Sequence, residues 1–106
     1  MTDDIRTLLA EYRARLERLY GPRLVKLVLF GSRARGDAGP DSDIDVLIVL
    51  KGPLDHWAEI QRTSALTSDI SIAHETFLSR FFATPQELAA PPSPFYLEVR
   101  AEGVAV

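Results

Sequence analysis

The chain contains no cysteine. That removes disulfides, thiol catalysis and cysteine-based metal sites, and leaves carboxylates and two histidines as the available metal ligands. No run approaches the roughly 20 apolar residues that span a bilayer, and Met1-Thr2-Asp3-Asp4 lacks a basic region leading into an apolar stretch. The expectation is a cytoplasmic protein without membrane contact. Positive charge is not in excess: a net charge of −3 argues against a general affinity for the nucleic-acid backbone. Lysine is scarce as well. Lys26 and Lys51 are the only two, so arginine supplies ten of the twelve basic residues, which suits planar recognition of phosphate but also follows from genomic base composition.

What remains is the balance of a globular protein, 46% apolar and 25% charged, in 106 residues that suffice for one modest core. One domain over residues 1–106 is expected. From Asp3 to Tyr20, Ile5, Leu8, Leu9, Tyr12, Leu16, Leu19 and Tyr20 recur at steps of three and four, the period of a helix face. Thr2 or Asp3 caps that helix and Gly21-Pro22 ends it. Leu24 to Phe30 reads as a first strand, and Ile44 to Leu50, apolar but for Asp45, as a central one. Leu54 to about Thr67 reads as a second helix. Asp69 to Ala73 reads as a third strand with Ile70 and Ile72 on one side, and Glu75 to Phe82 as a short helix. The prolines of 89–94 predict a loop, followed by a short helix-like stretch and a last apolar piece, Val104-Ala105-Val106.

The chemistry is concentrated between the first two strands, in Gly31-Ser32-Arg33-Ala34-Arg35-Gly36-Asp37-Ala38-Gly39-Pro40-Asp41-Ser42-Asp43-Ile44-Asp45. A glycine-serine pair at a strand end lets the backbone approach a phosphate, and the amides of a following turn can bond its oxygens. Arg33 and Arg35 are candidates to cradle a triphosphate, or are ordinary surface arginines. Asp43 and Asp45, two apart on a strand, project from the same face. Oxygen ligands in an open site favour magnesium, which binds through one or two carboxylates plus substrate phosphates. His56 and His74 are isolated and read as structural or surface residues, and Trp57 as a core anchor.

Gly31-Ser32, ten residues, then Asp43-Ile44-Asp45 resembles the signature of the nucleotidyltransferase superfamily typified by DNA polymerase β, and within it the minimal nucleotidyltransferases. The filling Arg33-Ala34-Arg35-Gly36-Asp37 with Ser42 resembles it too. The ending Arg100-Ala101-Glu102-Gly103-Val104 is similar to that of the minimal form.

The resemblance implies a single α/β domain, a mixed sheet flanked by helices in a polymerase-β palm-like arrangement. It implies ATP bound near Gly31 and Ser32, two magnesium ions held by Asp43, Asp45 and a third carboxylate on a later strand, and transfer of AMP to a hydroxyl. Asp69 is the residue that corresponds to the third carboxylate, with Glu75 the nearby alternative. The resemblance further implies a helical partner of the HEPN type, this chain acting as antitoxin by modifying a tyrosine of that toxin. The rival functions are a non-catalytic binding module and an enzyme acting on a small molecule or RNA. The sequence leaves the oligomeric state, a homo-oligomer included, open.

Overall fold

The computed structural model describes residues 3–35, 43–89 and 94–106, with only the backbone described at Ser32 and Arg35. The first helix, α1 (Asp3–Tyr20), leads through a turn of 3₁₀ helix at Gly21–Arg23 into β1 (Leu24–Phe30). There follow α2 (Ser32–Arg35), β2 (Ile44–Leu50), α3 (His56–Ala73), β3 (Leu78–Ala83), α4 (Pro85–Ala89), α5 (Pro94–Glu102) and β4 (Val104–Ala105). The expected cap at Thr2, the segment 36–42 and most of the proline loop, 90–93, lie outside the described residues.

The sheet has the order β3-β2-β1-β4. β1 pairs antiparallel with β2 and with β4, and β2 pairs parallel with β3. Strand alternation divides its side chains between two cores. On one face Leu27 and Leu29 of β1, Ile44, Val46, Ile48 and Leu50 of β2, and Leu78 and Phe82 of β3 meet the apolar stripe of α1 and Leu66 and Ile70 of α3. On the other, Val28, Phe30, Leu47, Val49 and Ala83 meet Leu88 of α4 and Val99 of α5, with Phe95 and Tyr96 packed alongside. β2 is buried on both faces, which is why it reads as an apolar run broken only by Asp45.

Two expected elements are corrected. Asp69 to Ala73 is not a strand but the last turn and more of α3, and Ile72, expected inside, is 77% exposed. The buried stripe of α3 is Glu59, Thr63, Leu66, Thr67 and Ile70, at helical spacing but largely polar, so its period is hidden from a hydrophobicity reading. Its polar members are satisfied internally: the Thr63 hydroxyl donates to Glu59 O at 2.9 Å, and Thr67 Oγ1 shares a 2.8 Å hydrogen bond with the Tyr12 hydroxyl.

The helix then stops without a glycine. Glu75 takes the left-handed position, φ 51°, while its N–H donates to Ile72 O and the N–H of Thr76 to Ser71 O, the paired closure of a Schellman turn. That turn releases residues 78–83 as β3, where a helix was expected. Arg80 then lies along α3, donating to Thr63 Oγ1 at 2.7 Å and Ile60 O at 2.9 Å.

Beyond β3, Thr84 and Glu87 form a reciprocal capping box at the start of α4. Among the described residues no helix is long and apolar enough to cross a membrane.

Candidate active site

The strand pairing fixes the place of the two carboxylates. Asp45 lies opposite Phe30 of β1 and beside Ser79 of β3. Alternation puts its side chain on the face of Leu47, Val49 and Ala83, with Asp43 two residues earlier at the strand mouth. The Ser79 hydroxyl donates to Asp43 Oδ2 at 3.3 Å. Burial, then the charge of Asp43 and then that of Glu98 on α5, raises the Asp45 pKa above its ordinary value. Two crowded, partly desolvated carboxylates bind a cation more readily than they bear each other's charge.

Gly31 closes the other side. Its φ of 77° lies in the left-handed region, and a Cβ there would stand 2.5 Å from Asp45 Oδ2. The chain can therefore pass this close to Asp45 only as glycine. Immediately beyond, α2 begins at Ser32, and Ala34 N–H donates to Gly31 O at 3.1 Å. Gly31 thus lies against Asp45, with Asp43 two residues before it. The side chains of Ser32 and Arg35 lie outside the described atoms.

Arg33 is half-buried and lines a cleft of about 510 Å³ with Asp4, His74, Glu75 and Ile44. Ile44 belongs to the sheet face covered by α1 and α3, so this cleft opens on the opposite side of β2 from Asp45.

The third carboxylate is the principal correction. Asp69 lies on α3, which packs against the sheet face opposite Asp45, and there it accepts from Arg15 Nη2 of α1 at 3.2 Å on the exposed surface. Glu75 stands at the Schellman turn. Neither joins Asp43 and Asp45, and among the described residues no three histidine or acidic side chains are grouped to hold a metal.

The strand that actually flanks β2, Leu78-Ser79-Arg80-Phe81-Phe82-Ala83, contains no acid. Its site-facing positions are Ser79 and Phe81. Phe30 and Phe81 reach towards each other across β2 with ring centroids 5.7 Å apart, and Phe95 of α5 touches both at 5.4 Å. Sequence reading missed Ser79 and Phe81 because it placed them in a helix. The capping box just after them, Thr84-Pro85-Gln86-Glu87, was the available sign that a helix starts only there.

Residues 9–97 match the profile of the nucleotidyltransferase domain family. The chain is similar to a Methanocaldococcus jannaschii protein named for protein adenylyltransferase activity, 30% identical over 72% of this chain and 76% of that protein. Its fold is similar to that of a chain in a crystal structure of a toxin-antitoxin with AMP-PNP, TM-score 0.62 at 22% identity, covering 89% of this chain and 68% of the other. It is similar also to a chain in the structure of a tri-AMPylated Shewanella oneidensis HEPN toxin in complex with an MNT antitoxin, TM-score 0.54 at 17% identity, covering 92% and 70%.

Proposed function

Because the chain belongs to the nucleotidyltransferase domain family, we propose that it transfers AMP from magnesium-bound ATP to a tyrosine hydroxyl of a HEPN-type partner and so acts as an antitoxin. The observation that carries the reading is the close approach of Gly31 to Asp45, the second of the two aspartates, a carboxylate site with a bare backbone wall beside it. Adenylyl transfer is supported by the name of the Methanocaldococcus relative. The partner is supported by fold neighbours that contain a toxin, one of them AMPylated.

Asp43 and Asp45 suit one magnesium shared with the phosphates of the substrate; a second ion has no third carboxylate among the described residues. When bound, that magnesium neutralises charge on the triphosphate and polarises the phosphorus under attack. The chain's own part is to position. Gly31 admits the triphosphate against Asp45, the Ser79 hydroxyl holds Asp43 in place, and the ring wall of Phe30 keeps water from one side of Asp45. The acceptor oxygen attacks the α-phosphorus and pyrophosphate leaves in line with it.

The test is to incubate the protein with α-labelled ATP, magnesium and the product of the neighbouring gene. Label is expected on a tyrosine of that product and absent with Asp43→Asn. The acid-free β3 favours a second reading, a module that binds nucleotide and partner without transfer. Tight magnesium-ATP binding with no labelled product would establish it.

A further inference from the structure

In-line displacement places the entering oxygen opposite the leaving pyrophosphate. Across this sheet the order is β1 with Gly31, then β2 with Asp43 and Asp45, then β3. With the phosphates against Gly31 on the β1 side, the acceptor arrives over β3. The groups waiting there on the site face are the Ser79 hydroxyl, already donating to Asp43, and the Phe81 ring. Phe81 is 41% exposed, yet it is held from within the core by Phe30 and Phe95. A large ring fixed on two sides and open on the third is a stacking ledge.

We propose that Phe81 seats the ring of the acceptor, and that this site, with no carboxylate on β3, selects a phenolic hydroxyl over an aliphatic one. The inference rests on the nucleotidyl-transfer reading and adds the reason for the acceptor class. A tyrosine hydroxyl ionises at a pKa of about 10, so roughly 1% is phenolate at pH 8 without any base. An alkyl alcohol, which ionises only at far higher pH, supplies less of its anion by many orders of magnitude.

In this scheme the phenol gives its proton to water, and the phenolate oxygen forms the new bond to the α-phosphorus. The bond from that phosphorus to the bridging oxygen breaks, its electron pair leaving with pyrophosphate. Nothing on β3 has to take a proton. Glu98, whose charge bears on Asp45, lies on α5, whose Phe95 touches Phe30 and Phe81 alike.

The first test is binding, read by NMR on protein loaded with magnesium and an ATP analogue whose α–β bridging oxygen is methylene. N-acetyltyrosinamide is expected to shift the Phe81 ring signals saturably, N-acetylserinamide is not, and Phe81→Leu should weaken the tyrosine probe about tenfold while the analogue binds as before. Equal response to both probes, or no response to either, overturns the proposal. So does a Phe81→Leu variant that loses the analogue as strongly as the probe, since the ring would then serve the nucleobase.

The second test is the pH dependence of AMP transfer to N-acetyltyrosinamide. The rate is expected to rise about tenfold per pH unit from 7 to 9, and a fluorinated tyrosine, with its lower pKa, to level off earlier. A flat wild-type profile that becomes steep in Glu98→Gln would make Glu98 the base and overturn the inference. Failure of the underlying reading looks different: magnesium-ATP would not bind the wild type, or Asp43→Asn would transfer undiminished.

Discussion

Gly31 stands against Asp45 so closely that a single added carbon would lie 2.5 Å from the Asp45 Oδ2 oxygen. The contact joins the glycine of the sequence signature to its second aspartate, and explains the need for glycine twice over, by φ and by space. Gly31→Ala is expected to cost about 1–2 kcal/mol of stability from the left-handed backbone. Magnesium-ATP affinity should fall further than that loss explains, because Asp45 must move. Urea unfolding and calorimetry on the same folded sample separate the two. Unchanged affinity would remove Gly31 from the phosphate wall.

Asp45 gives a pH prediction. Burial and then Asp43 raise its pKa in the folded chain, so the folded state holds this proton more strongly than the unfolded one. Its contribution to stability is therefore greatest below the unfolded value of 3.8 and declines as pH rises through the higher folded value. At neutral pH the metal-free protein carries an unfavourable charge there. Asp45→Asn is expected to raise the melting temperature of the metal-free protein at pH 7 while lowering transfer by orders of magnitude, and magnesium should stabilise the wild type but not the variant. Thermal melts with and without magnesium check the pattern.

These two relationships were legible in the sequence because they lie within one continuous segment whose spacing and flanking strands carry the geometry. The third element of the site was not. Its location depends on where α3 ends, and that end is written in Glu75, an acid in a left-handed turn where glycine or asparagine is usual. The alternation of Asp69-Ile70-Ser71-Ile72 imitates a strand, whereas only Ile70 of its two isoleucines is buried. The outer helices, the central β2 and the glycine-aspartate site follow from local pattern. The polar stripe of α3 and the acid-free β3 follow from packing that no short window contains.

Asp69→Asn is accordingly expected to leave transfer within about twofold of wild type. The residue's pairing with Arg15 is an exposed ion pair, with side chains 61% and 39% accessible, and such pairs contribute roughly 0–1 kcal/mol. The measurement is kcat/KM for AMP transfer beside a denaturation midpoint. A loss of more than about a hundredfold in an undamaged fold would restore Asp69 to the site.

The far end of β2 holds the one charged group that the fold buries among the described residues, and it supplies the last prediction. Glu59 is 3% exposed on the first turns of α3. Its carboxylate accepts from the Tyr20 hydroxyl at 2.8 Å, Arg23 Nη1 at 3.0 Å and Arg62 Nη1 at 2.5 Å. Arg23 in turn donates to the carbonyls of Lys51 and Pro53. The cluster therefore ties the end of α1, the start of β1, the exit of β2 and the start of α3 together. Burial alone would raise the Glu59 pKa, but the hydrogen bonds from Tyr20 and Arg23, with the Arg23 charge, outweigh it and hold the pKa below its ordinary 4.5. The sign is the reverse of that at Asp45: the stabilisation is present above pH 4.5 and is lost as pH falls through the depressed folded value. Glu59→Gln keeps the shape and removes the charge that Arg23 and Arg62 share. It is expected to lower unfolding free energy at pH 7 by about 2–4 kcal/mol, and the difference from wild type should shrink below pH 4.5. Magnesium-ATP affinity should stay at the wild-type value wherever the variant is folded, because Glu59 gathers at the Leu50 end of β2 and the nucleotide at the Asp43 end. Urea titrations across pH 3 to 7 decide the matter, and a variant as stable as wild type at pH 7 would mean that the cluster does not clamp the helix.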